Sequence, residues 1–290
     1  MRSSPRMIRT LITAAIGALL ILPVPSPGMD VQMRLSAGLG SLNLDEVNAA
    51  LAGWRDGLQR TAAENPGWRY VGGEDARLRL GIDFEAEVVL SFSRWLKLGL
   101  SGGFVQTSLD EQATLVRIDK SGTLYEYARP SSVSAFPILV SGYLNLPLTG
   151  KLSTYLRAGA GWIQARYVSR EAEKEATESR FSYPAYDNAR AGRLTYLGGV
   201  GLGYSFDKSL GFFVEAAVRF AKVDGFSGEN ALEEKGTLYS YEEEVSPSGV
   251  WEPRMHVFAE APAGPGVRGV REAVFDFGSY SIKIGVLLKF

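Results

Sequence analysis

The most informative segment of this chain is Tyr280-Ser-Ile-Lys-Ile-Gly-Val-Leu-Leu-Lys-Phe290. Its even-numbered positions are all apolar or aromatic, whereas most of its odd-numbered positions are small or charged. Because side chains alternate between the two faces of a β-strand, this period of two predicts a strand with one apolar face. Soluble proteins seldom end on an apolar strand with an aromatic residue, so the stretch points to a sheet whose apolar face meets lipid.

Seven further segments show the same alternation, which makes eight strands in all. They are residues 31–42, 78–92, a segment from Leu96, 133–146, 152–168, 194–206 and 212–222. The connections alternate strictly between short ones, at 93–95, 147–151 and 207–211, and long ones, at 43–77, 109–132, 169–193 and 223–271. This alternation is typical of transmembrane barrels with an even number of strands. The sequence therefore predicts an all-β fold, an eight-stranded antiparallel up-and-down transmembrane β-barrel.

Aromatic residues on the apolar rows support this assignment. They recur eight to ten positions apart, as in Phe84 with Phe92 and Tyr280 with Phe290. Ten residues at about 3.4 Å each, tilted by about 40°, rise roughly 26 Å. That height is close to the apolar band of about 25 Å between the two aromatic girdles of a membrane barrel.

The beginning of the chain reads as a secretory signal peptide. Basic residues precede an apolar stretch at 11–22, and a run of small and helix-breaking residues follows at 23–28. We expect cleavage after Gly28, which leaves residues 29–290 as the barrel domain. The chain contains no Cys, so we expect neither a lipoprotein anchor nor a disulfide framework.

With these strands and loops, the chain resembles the small bacterial outer-membrane β-barrel proteins of the OmpA and OmpW type, without the periplasmic domain of OmpA. The polar-x-Gly-x-x-apolar-x-aromatic pattern of Lys283, Gly285, Leu288 and Phe290 resembles the terminal signal read by the barrel-assembly machinery. The resemblance implies a porin-like protein in the outer membrane of a Gram-negative bacterium, with both termini and the short turns in the periplasm. It also implies outer-membrane lipid and the barrel-assembly machinery as partners.

The inward rows of the predicted barrel carry charges of both signs. The basic residues are Arg34, Arg79, Lys97, Arg157, Arg219, Lys283 and Lys289, and the acidic residues are Asp83, Glu85, Glu87 and Glu215. An eight-stranded barrel is just wide enough for its side chains to fill, and an unpaired buried charge is strongly destabilising. We expect a plug in which Glu85 and Glu87 pair with cations such as Arg34, Arg157 or Lys283. The alternative is that the same side chains line a narrow conduit.

The first long connection contains a helical pattern within residues 44–65. Four apolar residues at helical spacing mark one face of this segment: Val47, Leu51, Trp54 and Leu58. Asn43 and Asp45 are candidate caps, and Asn65-Pro66-Gly67 is a stop signal. The helix is expected to be either a lid over the barrel mouth or a docking face for a partner or lipid.

The other long connections carry weaker signals. Residues 113–118 and 123–127 read as a hairpin that extends the third and fourth strands, and residues 237–242 and 250–260 as a second hairpin outside the membrane. The charge run at 170–180 reads as a solvated face. Clustered carboxylates in the acidic fourth loop, Glu233, Glu234 and Glu242 to Glu244, are a weak Ca²⁺ candidate, because their spacing does not match an EF-hand.

The chain offers little to an enzyme. His256 is the only histidine, and it has no visible Ser or Asp constellation around it. The net charge of −1 gives no nucleic-acid footprint. We therefore expect no catalysis, no cofactor and no nucleic-acid partner, but a structural or surface-interaction role with a plugged interior. The alternative, implied by the OmpW resemblance, is a narrow channel or transporter for small or amphipathic solutes. The sequence names no extracellular ligand.

Overall fold

The computed structural model describes residues 30–244 and 249–290. The predicted signal peptide, residues 1–28, lies outside the described residues. Helix α1 spans Asp45–Glu64, and a 3-10 turn spans Gln112–Thr114. The strands are β1 Asp30–Ser41, β2 Trp68–Gly73, β3 Leu80–Ser91, β4 Leu96–Leu109, β5 Val116–Lys120, β6 Thr123–Ala128, β7 Ser131–Pro147, β8 Leu152–Glu175, β9 Ser182–Ser205, β10 Leu210–Phe220, β11 Lys222–Val223, β12 Ser227–Asn230, β13 Lys235–Glu244, β14 Trp251–Phe258, β15 Val267–Glu272, β16 Phe275–Asp276 and β17 Ser279–Lys289.

Eight of these strands close into a ring. Each pairs antiparallel with the next in the order β1, β3, β4, β7, β8, β9, β10 and β17, and β17 pairs back onto β1. Ring closure leaves no unpaired sheet edge. The predicted eight-stranded antiparallel up-and-down barrel is therefore confirmed.

The outer surface of the ring is an apolar belt. On β17, Tyr280, Ile282 and Ile284 are 76%, 66% and 65% exposed, whereas Ser281 and Lys283 between them are buried. Exposed aliphatic and aromatic side chains continue this belt around the other seven strands. Monomeric soluble proteins rarely expose apolar patches larger than a few hundred Å². A closed ring with such a belt is the architecture of a small outer-membrane β-barrel protein.

The ring has two different ends. Residues 92–95, 148–151 and 206–209 make short connections at one end, called the turn end below, where β1 also begins and β17 finishes. The connections at 42–79, 110–130 and 221–278 lie at the other end, called the loop end. Within the described residues, no helix is long and apolar enough to cross a membrane.

One predicted long loop is wrong. Residues 169–193 are not a loop, because β8 and β9 continue through them and are joined by residues 176–181 alone. The inward row of this extension stays small or buried, with Ala172, Asp187 and Ala189 packed inside. Its outward row carries charges, including Arg170 and Arg190, which polar surroundings accept and lipid tails do not. The apolar alternation therefore ends at the membrane surface, although the strand pairing does not.

Helix α1 lies over the loop end, but neither predicted cap holds it. Its N-cap is Leu44, without a side-chain hydrogen bond, because the chain enters the helix from a bridge between Asn43 and Asp276. Val47, Leu51 and Trp54 are buried, and the helix packs on β14. Gly53 permits the closest approach, because a Cβ there would clash with the backbone carbonyl of Pro253. The helix is thus a lid, and its apolar face is not available for docking.

Both predicted hairpins form outside the ring. Strands β5 and β6 pair around Ser121-Gly122, and β13 pairs with β14 so that Thr237 faces Phe258. The first hairpin differs in its attachment, since β6 joins β8 and β5 joins β2 instead of extending β4 and β7. Residues 237–242 and 251–258 do not add two spanning strands.

We expect a charge to be far more costly at the middle of the belt than at its rim. Ile284→Arg should lower the free energy of unfolding by roughly 2–4 kcal/mol, since position 284 lies near the middle of β17 on the lipid face. Tyr280→Arg, on the same face near the loop end, should cost about 0–1 kcal/mol. Denaturant unfolding of the barrel in lipid vesicles measures both. Equal losses would contradict the assigned depth of the belt.

Candidate functional site in the barrel interior

Eight charged side chains fill the middle of the barrel. They come from five strands whose period of two points them inward, and each residue is at most 8% exposed. The carboxylates are Asp83, Glu85, Glu87 and Glu215, and the cations are Arg34, Arg157, Arg219 and Lys283. Four negative and four positive charges balance formally. The structure therefore brings most of the predicted interior charges into one group.

Arg157 on β8 is the centre of this group. Its guanidinium contacts both oxygens of Glu85, with Nη1 to Oε2 at 3.2 Å, and it reaches Glu87 at 3.2 Å and Glu215 at 3.1 Å. Its Nε donates to Ser141 Oγ at 3.2 Å. Because one planar cation serves three carboxylates from β3 and β10, it joins opposite walls of the barrel.

Arg34 connects the network to an aromatic layer nearer the turn end. Its Nη2 donates to Glu215 Oε2 at 3.0 Å, and its Cζ lies 4.1 Å from the ring centroid of Phe213 and 4.6 Å from that of Tyr155. The Tyr155 hydroxyl donates to Glu215 at 2.9 Å, and the Tyr143 hydroxyl donates to Glu87. Aromatic faces favour a desolvated guanidinium, so this layer partly replaces the water that Arg34 loses.

The network continues toward the loop end through Lys283. Its ammonium lies 2.7 Å from Glu85 and 3.3 Å from Asp83, and Arg219 Nη2 donates to Asp83 at 2.8 Å. Ion pairs therefore follow one another without a break from Arg34 to Arg219. Buried charges with paired partners and hydrogen bonds avoid the full cost of desolvation.

Glycines on the inward rows make room for these long side chains. A Cβ at Gly201 would collide with the ring of Tyr155, and one at Gly99 would collide with the carboxylate of Glu87. The high glycine content of the strands thus has a steric reason. In a barrel of eight strands, a long inward side chain needs a small residue beside it on the neighbouring strand.

Three predicted interior cations lie outside the network. Arg79 is a correction: it is exposed, because β3 begins only at Leu80 and the preceding Leu78 turns inward to the apolar core. Burying Leu78 is favourable, whereas burying Arg79 without a partner would not be. Lys97 and Lys289 do point into the barrel, but at the turn end, where Lys97 donates to Gln32 at 3.3 Å and Lys289 to Ser205 at 2.7 Å.

An apolar core closes the barrel between the charged network and the loop end. Buried residues from β4, β7 and β8, including Val105, Val133 and Ile163, pack with Leu51 of the lid and Phe275 in one cluster. Ion pairs also hold the edge of the lid. Arg60 Nη1 of α1 lies 2.9 Å from Glu252 Oε1 of β14, and Arg254 Nη2 lies 2.7 Å from Glu252 Oε2. Burial raises the pKa of Glu252 against the influence of these two arginines.

The histidine has a partner that sequence reasoning missed. His256 Nδ1 lies 2.9 Å from Asp187 Oδ2, and Asp187 Oδ1 accepts the backbone N–H of Val257 at 2.9 Å. Asp187 falls in the segment expected to be a loop, so no local pattern connected it to residue 256. Within the described residues, no hydroxyl is hydrogen-bonded to the His256 ring, and the pair ties β14 to β9.

The acidic fourth loop is arranged around arginines. Glu242 lies 2.6 Å from Arg268, and Glu243 lies 3.4 Å from Arg254. Among residues 30–244 and 249–290, no group of His, Asp and Glu has the arrangement of a metal site.

The residues proposed as an assembly signal occupy different environments. Lys283 is buried in the network, whereas Phe290 is 70% exposed on the outside. Gly285 has a packing role of its own, because a Cβ there would collide with the Leu35 carbonyl and the Phe213 ring. Leu288 pairs with Met33 of β1 and Leu210 of β10.

Comparisons with known proteins find only distant likenesses. No family model and no curated protein matches the chain. Solved structures that resemble it include Ail of Yersinia pestis, in complex with the heparin analogue sucrose octasulfate (9% identity, 90% of this chain, 99% of that chain, TM-score 0.35). OprG of Pseudomonas aeruginosa is 11% identical over 89% of this chain and 95% of that chain, with a TM-score of 0.35. The protease OmpT of Escherichia coli is 10% identical over 93% of this chain and 99% of that chain, with a TM-score of 0.34. With TM-scores below 0.5, these likenesses carry no argument about activity.

We expect Arg157→Met to be strongly destabilising. The change leaves three carboxylates, Glu85, Glu87 and Glu215, without their shared cation, which should cost about 3–5 kcal/mol of unfolding free energy. Adding Glu85→Gln should recover part of that loss, because one unpaired charge is then removed. Denaturant unfolding and heat-modifiable gel mobility measure these effects.

Arg79→Met is the matched control, since the sequence predicts Arg79 to point inward as Arg157 does, whereas the structure shows it exposed. Its effect should stay within about 0.5 kcal/mol. Additive effects of the Arg157 and Glu85 changes would contradict the network, as would a loss at Arg79 equal to that at Arg157.

Proposed function

We propose that this outer-membrane barrel is a structural and surface-interaction protein whose interior is closed to solutes. The observation that carries the proposal is the balanced network of four carboxylates and four cations across the barrel. The packed apolar core above it supports the same conclusion. A porin with a wide aqueous channel needs about twice as many strands.

The competing function is a narrow channel or transporter. It would require a continuous polar path or an open hydrophobic chamber inside the ring. The interior offers neither arrangement among the described residues, because the apolar side chains pack against the lid and the charged ones against one another. The hypothesis of a closed interior is therefore better supported than that of a channel or transporter.

We expect the purified barrel to show little steady conductance in a planar lipid bilayer. A variant that carries Glu85→Ala, Arg157→Ala and Glu215→Ala should conduct more, because it removes the middle of the network while changing the net charge by only one. The variant also shows that the assay detects inserted barrels. A large and stable conductance of the wild type would overturn the closed interior in favour of the channel.

The loop end supplies the surface role. Strands β8 and β9 are 24 residues long, so at about 3.4 Å per residue they exceed the roughly 25 Å band and project well beyond it. Helix α1 and the hairpins β5–β6 and β13–β14 pack around this projection. The result is a folded cap, which is suited to contacts outside the membrane.

Three arginines support outer-membrane lipid as a partner. Arg166 and Arg190 face each other directly on β8 and β9, four residues beyond the exposed Trp162, and Arg170 follows on the same face. Four residues rise roughly 10 Å, which is the distance expected for headgroup contacts of Arg166 and Arg190, and Arg170 lies about 10 Å farther out. Like charges in a directly opposed pair are destabilising, so anionic headgroups would relieve them.

This function requires the loop end to face the cell exterior and the turn end to face the periplasm. The natural chain contains no Cys, so single cysteines report orientation cleanly. On intact cells, a membrane-impermeant thiol reagent should label Arg180→Cys, at the tip between β8 and β9. It should label Lys208→Cys, in a short turn, only after the outer membrane is opened. The reverse pattern would contradict the surface role.

A further inference from the structure

A small, partly open cavity lies inside the barrel at the turn end. Its volume is about 210 Å³, and its lining includes Lys97, Lys289, Arg34, Ser153, Ser205 and Tyr155. The cavity lies below the aromatic layer of Tyr143, Tyr155 and Phe213, on the side away from the charge network. A liquid water molecule occupies about 30 Å³, so the cavity has room for a small ligand with several waters.

Neither of the two lysines in this cavity forms an ion pair with a carboxylate of the described residues. Lys97 donates to the amide oxygen of Gln32, and Lys289 donates to the hydroxyl of Ser205. In the described part of the chain, no carboxylate lies within 4.0 Å of either ammonium, which distinguishes them from Lys283. Lys97 is repelled by Lys289 and Arg34, and the carboxylate that attracts it is the exposed Asp30 at the mouth. The carboxylate that attracts Lys289 is the exposed Asp207, which lies in a short turn outside the cavity lining.

The charged network in the middle of the barrel cannot supply a carboxylate to these lysines. Its four carboxylates are already balanced by Arg34, Arg157, Arg219 and Lys283, and Arg34 is committed to Glu215 at 3.0 Å. Lys151, at the rim of the cavity, adds a further cation rather than an anion. The cavity therefore holds an excess of positive charge that no carboxylate in its lining neutralises, and like charges held together away from bulk water are destabilising.

We propose that this cavity binds a phosphate-type oxyanion. A dianionic tetrahedral group matches the charge of Lys97 and Lys289, and the hydroxyls of Ser153 and Ser205 are further donors for its oxygens. The size of the cavity admits a phosphate group but not a bulky ligand. The group arrives either as free phosphate or as the exposed phosphomonoester headgroup of a lipid, since both present the same chemistry at the turn end.

The test uses the whole folded barrel in a neutral detergent with inorganic phosphate as the probe. Calorimetry should show saturable binding, and the unfolding temperature should rise with phosphate but not with chloride at equal ionic strength. The variant Lys97→Gln with Lys289→Gln should bind phosphate on the order of tenfold to a hundredfold more weakly, because it loses two charge-assisted hydrogen bonds. Lys208→Gln, in a turn at the same end but outside the cavity, should bind like the wild type.

Two further measurements keep the outcome decisive. Without phosphate, Lys97→Gln alone should unfold at a temperature equal to or above that of the wild type, since repulsion is relieved; this shows that lost binding is not lost folding. A short-chain phosphatidic acid titrated in parallel distinguishes the sources, because binding of the lipid alone indicates a headgroup site and binding of both indicates a site for the free ion. No saturable response to either probe, or full binding by the double lysine variant, would overturn the proposal.

Discussion

Charges inside a narrow barrel must be balanced, and this requirement governs how the interior of the protein is built. Eight strands enclose a space that side chains can just fill, and that space holds little water to screen a charge. Once Glu85, Glu87 and Glu215 point inward, a cation must reach all three, and Arg157 does so with one planar group. Lys283 and Arg219 repeat the arrangement around Asp83. The long side chains of this network leave no room for a Cβ atom at neighbouring inward positions, which explains the glycines at 99 and 201.

The same pair of strands obeys two different rules along its length. Where β8 and β9 cross the belt, lipid demands an apolar outer row, and the interior accepts charge only in pairs. Beyond the apolar belt, polar surroundings accept Arg166 and Arg190 on the outside, while the inner row becomes small and apolar under the lid. At the loop end the outer face of the sheet is therefore polar and its inner face apolar, the reverse of the membrane belt. There it resembles a soluble sheet packed on a helix. This reversal gives the cap a hydrophobic core of its own.

The two halves of the interior differ in how they treat positive charge. In the middle, every cation has a carboxylate at ion-pair distance, and the group is closed. At the turn end, Lys97 and Lys289 depend on neutral oxygens. The difference matters because a closed network is explained by stability alone, whereas two uncompensated cations in a cavity are not. A function for the turn end is therefore separable from the structural role of the plug.

The strands of the barrel, their inward and outward faces, the short turns and the hairpin of residues 237–242 with 250–260 were predictable from the sequence. These features depend on periods of two and on turn residues, which are local properties. Which charges meet depends instead on the three-dimensional arrangement of the strands. Arg157 and Glu85 are 72 residues apart, and Asp187 and His256 are 69 apart, so their contacts depend on how the ring closes. Alternation also could not show that Leu78, and not Arg79, turns inward, or that β8 and β9 continue past the lipid. Both outcomes depend on what lies beside the strand, because burial and solvent, rather than the residue pattern, set the energy of each side chain there.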